Sequence, residues 1–316
     1  MLKKLLVQHY VAFKETLRNL KIQKDARFNE ARIEAEIIRF VHSIEKGLSL
    51  QDPRLGFGFK KIQCLFDYIE LYLKLENSDD YCLRMARGAL NAYLKFHEEH
   101  SFSNENIIQI KNRARELLGN LEEDADYGGI LTLNNEQITC SREHAKKLFE
   151  TRHSVREFSG EPVSEEDIRS AIEMAQYCPS ACNRQCARVY SISSEKYMHD
   201  MDTNLQGIGG FADDADKFLL VTAKMSAYEI DERNQFVVSA SIFAGYLSLA
   251  LHACGIASCA VQRSLALNEK WDKFREINGI PDDEQIVIMF AIGKYKSETK
   301  VPVSKRFSLS KIFRKL

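Results

Sequence analysis

The chain has 316 residues, 45% of them hydrophobic, and a formal net charge of -1. This length suits two domains, or one domain with a large extension, and the near-neutral balance argues against a nucleic-acid-binding surface. An ordinary soluble enzyme is expected, without an apolar run of transmembrane length or the apolar core and cleavage site of a signal peptide, and the cytoplasm is the expected location.

The first part of the chain, residues 1–125, reads as consecutive helices. Apolar residues recur at helical intervals in "ARIEAEIIRFVHSIEKGL", "FKKIQCLFDYIELYLKLE" and "DYCLRMARGALNAYLKFHEE". Ahead of these, Leu2, Leu6, Tyr10, Phe13 and Leu17 form a helical stripe amid lysines. A basic amphipathic helix of this kind suits an anionic membrane, but packing of the stripe against the rest of the protein is the expectation and membrane contact is not. Gly47 is read as a helix stop, and Ser78 or Asp79 as a helix start. His42 to Leu48 and Pro53 to Gly58 are rich in groups that could meet a ligand, although a helix end with ordinary caps and ion pairs is preferred.

Residues 126–142 are polar and contain glycine, as a linker would. The third region, residues 143–316, begins with a helix over "REHAKKLFE". Thr151 to Phe158 follow, with Arg152, Ser154 and Arg156 close together. Arginine presents a planar fork of donors to phosphate oxygens, and a hydroxyl with backbone N–H groups can complete an anion cradle. A helix over 164–175 and strands at "ARVYSIS", "KFLLVTA" and "QIVIMFAIG" come next. The helix "FVVSASIFAGYLSLALHACG" is apolar all round, which implies burial on every side.

The eight cysteines are too sparse for a disulfide scaffold. Cys178, Cys182 and Cys186 recur every fourth residue, but Pro179 interrupts the helical spacing and no metal is expected there.

Four blocks together resemble the FMN-dependent nitroreductase family: Thr151 to Phe158, Cys178 to Gln185, Gly255 to Gln262, and Gly293-Lys294-Tyr295 followed by Val301 to Arg306. Within that family the end block and the long helix look most like the branch of iodotyrosine deiodinase and the flavin-destroying enzyme of cobalamin-ligand synthesis. The resemblance implies an α+β nitroreductase-like sandwich with a central antiparallel sheet flanked by helices, here preceded by a helical domain. It also implies a homodimer with the long helix at its centre and two FMN sites built from both protomers.

By the same resemblance, Arg152, His153 and Ser154 hold the FMN phosphate and ribityl end, Arg156 approaches the N1/C2 edge of the ring, and Arg306 closes the clamp. Pro179, Ser180 and Asn183 contact the flavin; Cys186 departs from the family pattern, where proline is common. Ala260 and Gln262 fall where backbone crosses the ring, and Gln262 is the nearest candidate to flavin N5, no side chain being assigned as catalytic. The implied reaction passes electrons from NAD(P)H or another donor through the flavin to an electron-poor small organic substrate. The alternative is a flavin-binding or flavin-modifying protein without such turnover, with a link to surface-polysaccharide synthesis, since His42 to Leu48 and Pro53 to Gly58 resemble the N-terminal part of long nitroreductase-like chains associated with bacterial surface-polysaccharide gene sets. Gly207, Gly209 and Gly210 suit a flap over the site, and the helical domain is expected to supply part of the pocket wall.

Overall fold

The computed structural model describes residues 2–26, 29–75, 79–200, 208, 210–261 and 269–315. Its N-terminal part is helical: α1 Leu2–Asp25, α2 Glu30–Leu48, α3 Phe59–Tyr72, α4 Tyr81–Glu99 and α5 Glu105–Leu118. Asn29 and Asn104 cap α2 and α5 by accepting the N–H groups of Arg32 and Ile107. The apolar stripes of α2 to α5 meet in one core that includes Ile37, Val41, Leu65, Phe66, Leu90 and Tyr93. Asp79 helps open α4, its carboxylate accepting the Tyr81 N–H at 3.0 Å. Ser78 lies outside the described residues.

Gly47 is not a helix stop. It sits within α2, where a Cβ would come within 2.1 Å of the Phe57 ring, so its lack of a side chain admits Phe57 to the core. The segment that follows is also structural: the Gly56 N–H donates to His97 Nε2 at 2.8 Å and the Tyr93 hydroxyl donates to the Phe57 carbonyl at 2.7 Å. His97 Nδ1 is 2.7 Å from the Tyr93 carbonyl, so the ring is a neutral Nδ1–H tautomer held at both nitrogens.

The expected packing of the α1 stripe does not occur at its described side chains, those of Leu2 and Leu6 lying outside the description. Tyr10 is 59% and Phe13 62% exposed, and Leu17 is exposed as well. The helix docks by another side: Gln23 is buried and donates to the Glu229 carbonyl at 3.1 Å, and Arg18 donates to the Asp282 carbonyl at 2.9 Å. Polar anchors far along the chain therefore decide which side faces inward.

Short α6 Asn135–Ile138 lies in the polar segment before α7 Arg142–Thr151 and α8 Glu165–Ala175. Then come β1 Ala187–Ser193, α9 Ser194–Asp200, β2 Lys217–Lys224, α10 Gln235–Ala253, β3 Ile256–Val261, α11 Glu269–Ile277, β4 Glu284–Lys294 and α12 Leu309–Ile312. The strands form an antiparallel sheet in the order β1-β2-β4-β3. This is the expected α+β architecture, a central antiparallel sheet with helices around it and a helical region ahead. One face of the sheet packs on α8 and α10 through Leu219, Val221, Phe243, Leu247 and Phe290; Phe218, Tyr197, Phe274 and Met289 fill the other.

Two expectations about α10 need correction. Its apolar residues are not buried on every side, since Val238 is 51% and Tyr246 44% exposed. By length and composition α10 is also apolar enough to cross a membrane, although 44% of it is buried in this fold. Both follow from one cause: a core-facing side and a bare apolar side together make the helix hydrophobic all round.

The helical part is seated on the sheet part. Arg32 of α2 is buried, donating to the Ser226 carbonyl at 2.8 Å and to the Tyr228 carbonyl, and pairing with Glu229 at 2.9 Å. Beside it Ala35 enters a shared cluster with Cys186, Met225, Tyr228 and Phe236.

Candidate functional site

The arginine segment is pinned from two sides. Leaving α7, the chain runs along the sheet edge, where the Val155 N–H donates to the Ser258 carbonyl of β3 and the Ser159 N–H to the Lys294 carbonyl of β4. Val155 and Phe158 are buried, whereas Arg156 is exposed and Arg152, His153 and Ser154 are half-buried. At the C-terminal end of α10, His252 lies 2.8 Å from the Thr151 hydroxyl through Nε2 and 2.8 Å from the Tyr295 hydroxyl through Nδ1. Burial, then Arg152 and His153, hold the His252 ring below its ordinary pKa. Burial raises the Cys259 thiol, with Arg156 and Arg152 opposing it. Arg152 and Arg156 thus gather positive charge around the end of α10 and β3.

The nearby carboxylates do not neutralise that charge. Glu157 pairs with Lys296 at 3.0 Å and Asp167 with Lys294 at 2.7 Å. Among the described residues neither Arg152 nor Arg156 has an ion-pair partner, leaving both guanidinium groups available to an anion.

The second block folds into a tight turn. Ser180 Oγ accepts the Gln185 N–H at 3.0 Å, the Ser180 carbonyl accepts the Asn183 N–H, and the Ala181 N–H donates to Ser239 of α10 at 3.2 Å. Cys182, Asn183 and Gln185 all have positive φ, at 53°, 57° and 48°. A cluster of non-glycine residues in the left-handed region is costly and marks a shape the surroundings impose. Pro179 is exposed at the turn's entrance, and Ser180 and Asn183 are half-buried. Cys186, in place of the family's proline, is buried near the Phe236 carbonyl and the Tyr228 hydroxyl, and burial pushes its thiol up.

The two blocks stand at opposite ends of α10. The turn bonds to Ser239 and the arginine segment reaches His252, and at 1.5 Å per residue those positions are roughly 20 Å apart along the helix. One protomer therefore does not bring Arg152 and Ser180 together. Ala260 is exposed on β3, and Arg306 is exposed on the tail after β4, without a hydrogen bond or ion pair among the described residues. Gln262, Gly207 and Gly209 lie outside the described residues, and Gly210 has φ 91°. His252 escaped sequence reasoning, its one signal being a histidine near the end of an otherwise apolar helix, and Tyr295 was marked only as part of its block, without this contact.

An antiparallel sheet flanked by helices defines an α+β domain, and two arginines without ion-pair partners among the described residues stand at the sheet's edge. Residues 149–205 and 199–294 match the family model of the Nitroreductase family. A curated protein of Archaeoglobus fulgidus, named as an NADH dehydrogenase/NAD(P)H nitroreductase, is 27% identical over 158 residues, covering 49% of this chain and 88% of the relative. A protein of Parabacteroides distasonis with the same kind of name is 17% identical at a TM-score of 0.46, covering 54% of this chain and 97% of that one. A nitroreductase of Desulfovibrio desulfuricans solved in complex with FMN is 17% identical at a TM-score of 0.47, covering 58% of this chain and 98% of that one.

Proposed function

We propose that the protein is an FMN-dependent oxidoreductase acting as a homodimer, which takes electrons from NAD(P)H or another donor and passes them to an electron-poor small organic substrate. The observation that carries this reading is the pair of unneutralised arginines, Arg152 and Arg156, at one end of α10. Their donors suit a terminal phosphate and an electron-rich ring edge, whereas the one G-x-G-x-x-A run of the sequence, Gly207 to Ala212, lies between α9 and β2 and not between a strand and a helix as a dinucleotide fingerprint does. Bound FMN would supply the hydride chemistry, and the protein would position and tune it.

In this reading Arg152, His153 and Ser154 hold the phosphate and ribityl end. Arg156 lies at the pyrimidine edge, where a fixed cation favours the reduced ring. Ala260 and Gln262 border the ring, and Arg306 folds in from the tail. Pairing of two α10 helices head to tail brings the partner subunit's Pro179, Ser180 and Asn183 to the cradle across the roughly 20 Å that separates the blocks in one chain. The bare side of α10, with Val238, Ile242 and Tyr246 exposed, supports such pairing, as do Phe307, Leu309 and Phe313 of the exposed tail. Eight free cysteines suit a reducing compartment, in keeping with the cytoplasm.

The test is to release the cofactor by heating, identify it by mass, and then follow flavin bleaching with NADH and NADPH in a stopped-flow spectrometer. FMN that either donor reduces is the expected result. FAD as the native cofactor would refute the assignment, and FMN that neither donor reduces would limit the protein to flavin binding under these donors.

A further inference from the structure

Docking of the helical part creates a cleft of about 830 Å³ whose walls come from α2, the start of α4, α8 and the edge strand β1. Glu34 and Ile38 stand on the α2 wall; Ile172, Arg184, Arg188 and Lys224 come from the sheet part. Its charges are left open. Lys224 has no side-chain partner among the described residues, and Arg188 spends Nη1 on the Gln185 and Ala187 carbonyls, with no ion pair. Arg184 is buried; Glu232 takes its Nη1 at 2.8 Å, and its Nε is left without a hydrogen-bond partner. Glu34 is near enough to Arg188 and Lys224 for both to oppose the rise in its pKa that burial causes, yet it forms no ion pair with either. Opposite charges that line one cavity without meeting leave room for a molecule between them.

We propose that this interdomain cleft binds a hydroxylated organic anion, with its carboxylate or phosphate held by Arg188 and Lys224, its hydroxyl by Glu34 and its apolar body against Ile38 and Ile172. Two cations within reach of one anionic group give charge-assisted hydrogen bonds. A half-buried carboxyl with no internal partner gains a hydrogen bond when a hydroxyl reaches it. The site requires α2, so it belongs to the two-part chain and not to the sheet part alone. Its service as the substrate site rests on the flavin reading, because Ser180 and Gln185 line the cleft and also belong to the proposed flavin-contacting turn. Binding itself does not need that reading.

Isothermal titration calorimetry on the full-length protein with excess FMN tests the site with mandelate and with glycerol 3-phosphate, using neutral 1-phenyl-1,2-ethanediol as the uncharged control. Saturable binding of either anion, with the diol silent, is expected; mandelate alone would assign a carboxylate and glycerol 3-phosphate alone a phosphate. Arg188→Gln and Lys224→Gln should each weaken binding about tenfold, the loss of one charge-assisted bond. Glu34→Gln, which leaves both cations in place, should reduce the preference for mandelate over phenylacetate. No saturable binding of either anion, equal binding of the diol, or unchanged affinity in variants that melt like the parent would overturn the proposal. Heats of binding report on the cleft whether or not NAD(P)H bleaches the flavin, so failure of one reading is separable from failure of the other.

Discussion

Phe158 rests on Gly293 so closely that a Cβ at position 293 would come within 2.6 Å of the phenylalanine ring. Phe158 ends the arginine segment and Gly293 lies near the end of β4, so this contact sets the height of Arg152 and Arg156 over the sheet. Gly293→Ala should destabilise the protein by about 1 to 3 kcal/mol, the usual cost of overpacking, and weaken FMN binding at the same time. Thermal denaturation and flavin occupancy measure the two effects. An unchanged melting temperature would show that Phe158 moves aside freely.

Arg152 carries the cradle. Arg152→Ala should weaken FMN binding by about 2 to 3 kcal/mol, the range for a hydrogen bond to a charged group. Quenching of flavin fluorescence on titration gives the affinity. The same change should raise the His252 pKa, because Arg152 is one of the charges that lower it. An NMR titration of the imidazole detects that rise, and an unmoved pKa would separate Arg152 from His252.

Gly245 is a selective probe of the dimer. A Cβ there meets nothing within 4 Å, so Gly245→Leu should leave the protomer's fold intact. Against a second α10 it should cost roughly 1 to 3 kcal/mol of association and lower flavin occupancy together with dimer content. Sedimentation combined with absorbance at the flavin band reads both. A dimer that persists unchanged would place the interface elsewhere.

His97 gives the helical part a pH dependence. Burial holds its native pKa below the reference 6.5, so it folds as the neutral ring. A depressed pKa contributes stability that is complete above the unfolded value and is lost as pH falls through 6.5 toward the native value. Urea denaturation between pH 7.5 and 5 should therefore show a decline in the parent that is shallower in His97→Gln. Parallel profiles would exclude His97 as the responsible group.

Much of the architecture is local in origin and was legible in the sequence. The 3.6-residue periodicity of α2 to α5, the three apolar runs that became β1, β2 and β4, and the serine before α8 are set by neighbours a few residues apart. The arginine cluster was legible for the same reason: Arg152, Ser154 and Arg156 lie within five positions.

Pairings across the chain were not legible, since periodicity carries no information about partners. Gly47 read as a stop because glycine often ends helices, yet Phe57 decided its role. The exposed stripe of α1 read as a packing face because apolar residues usually are; Gln23 and Arg18, bonded to carbonyls 206 and 264 positions away, turned the helix the other way. His252 met Tyr295 only when α10 and β4 packed together. The sequence determined which segments are helix or strand and where positive charge concentrates, because those depend on near neighbours. Tertiary structure alone decided that Arg152 and Ser180 stand at opposite ends of α10 and that Glu34 faces Arg188 and Lys224, because those relations arise from the packing of distant elements.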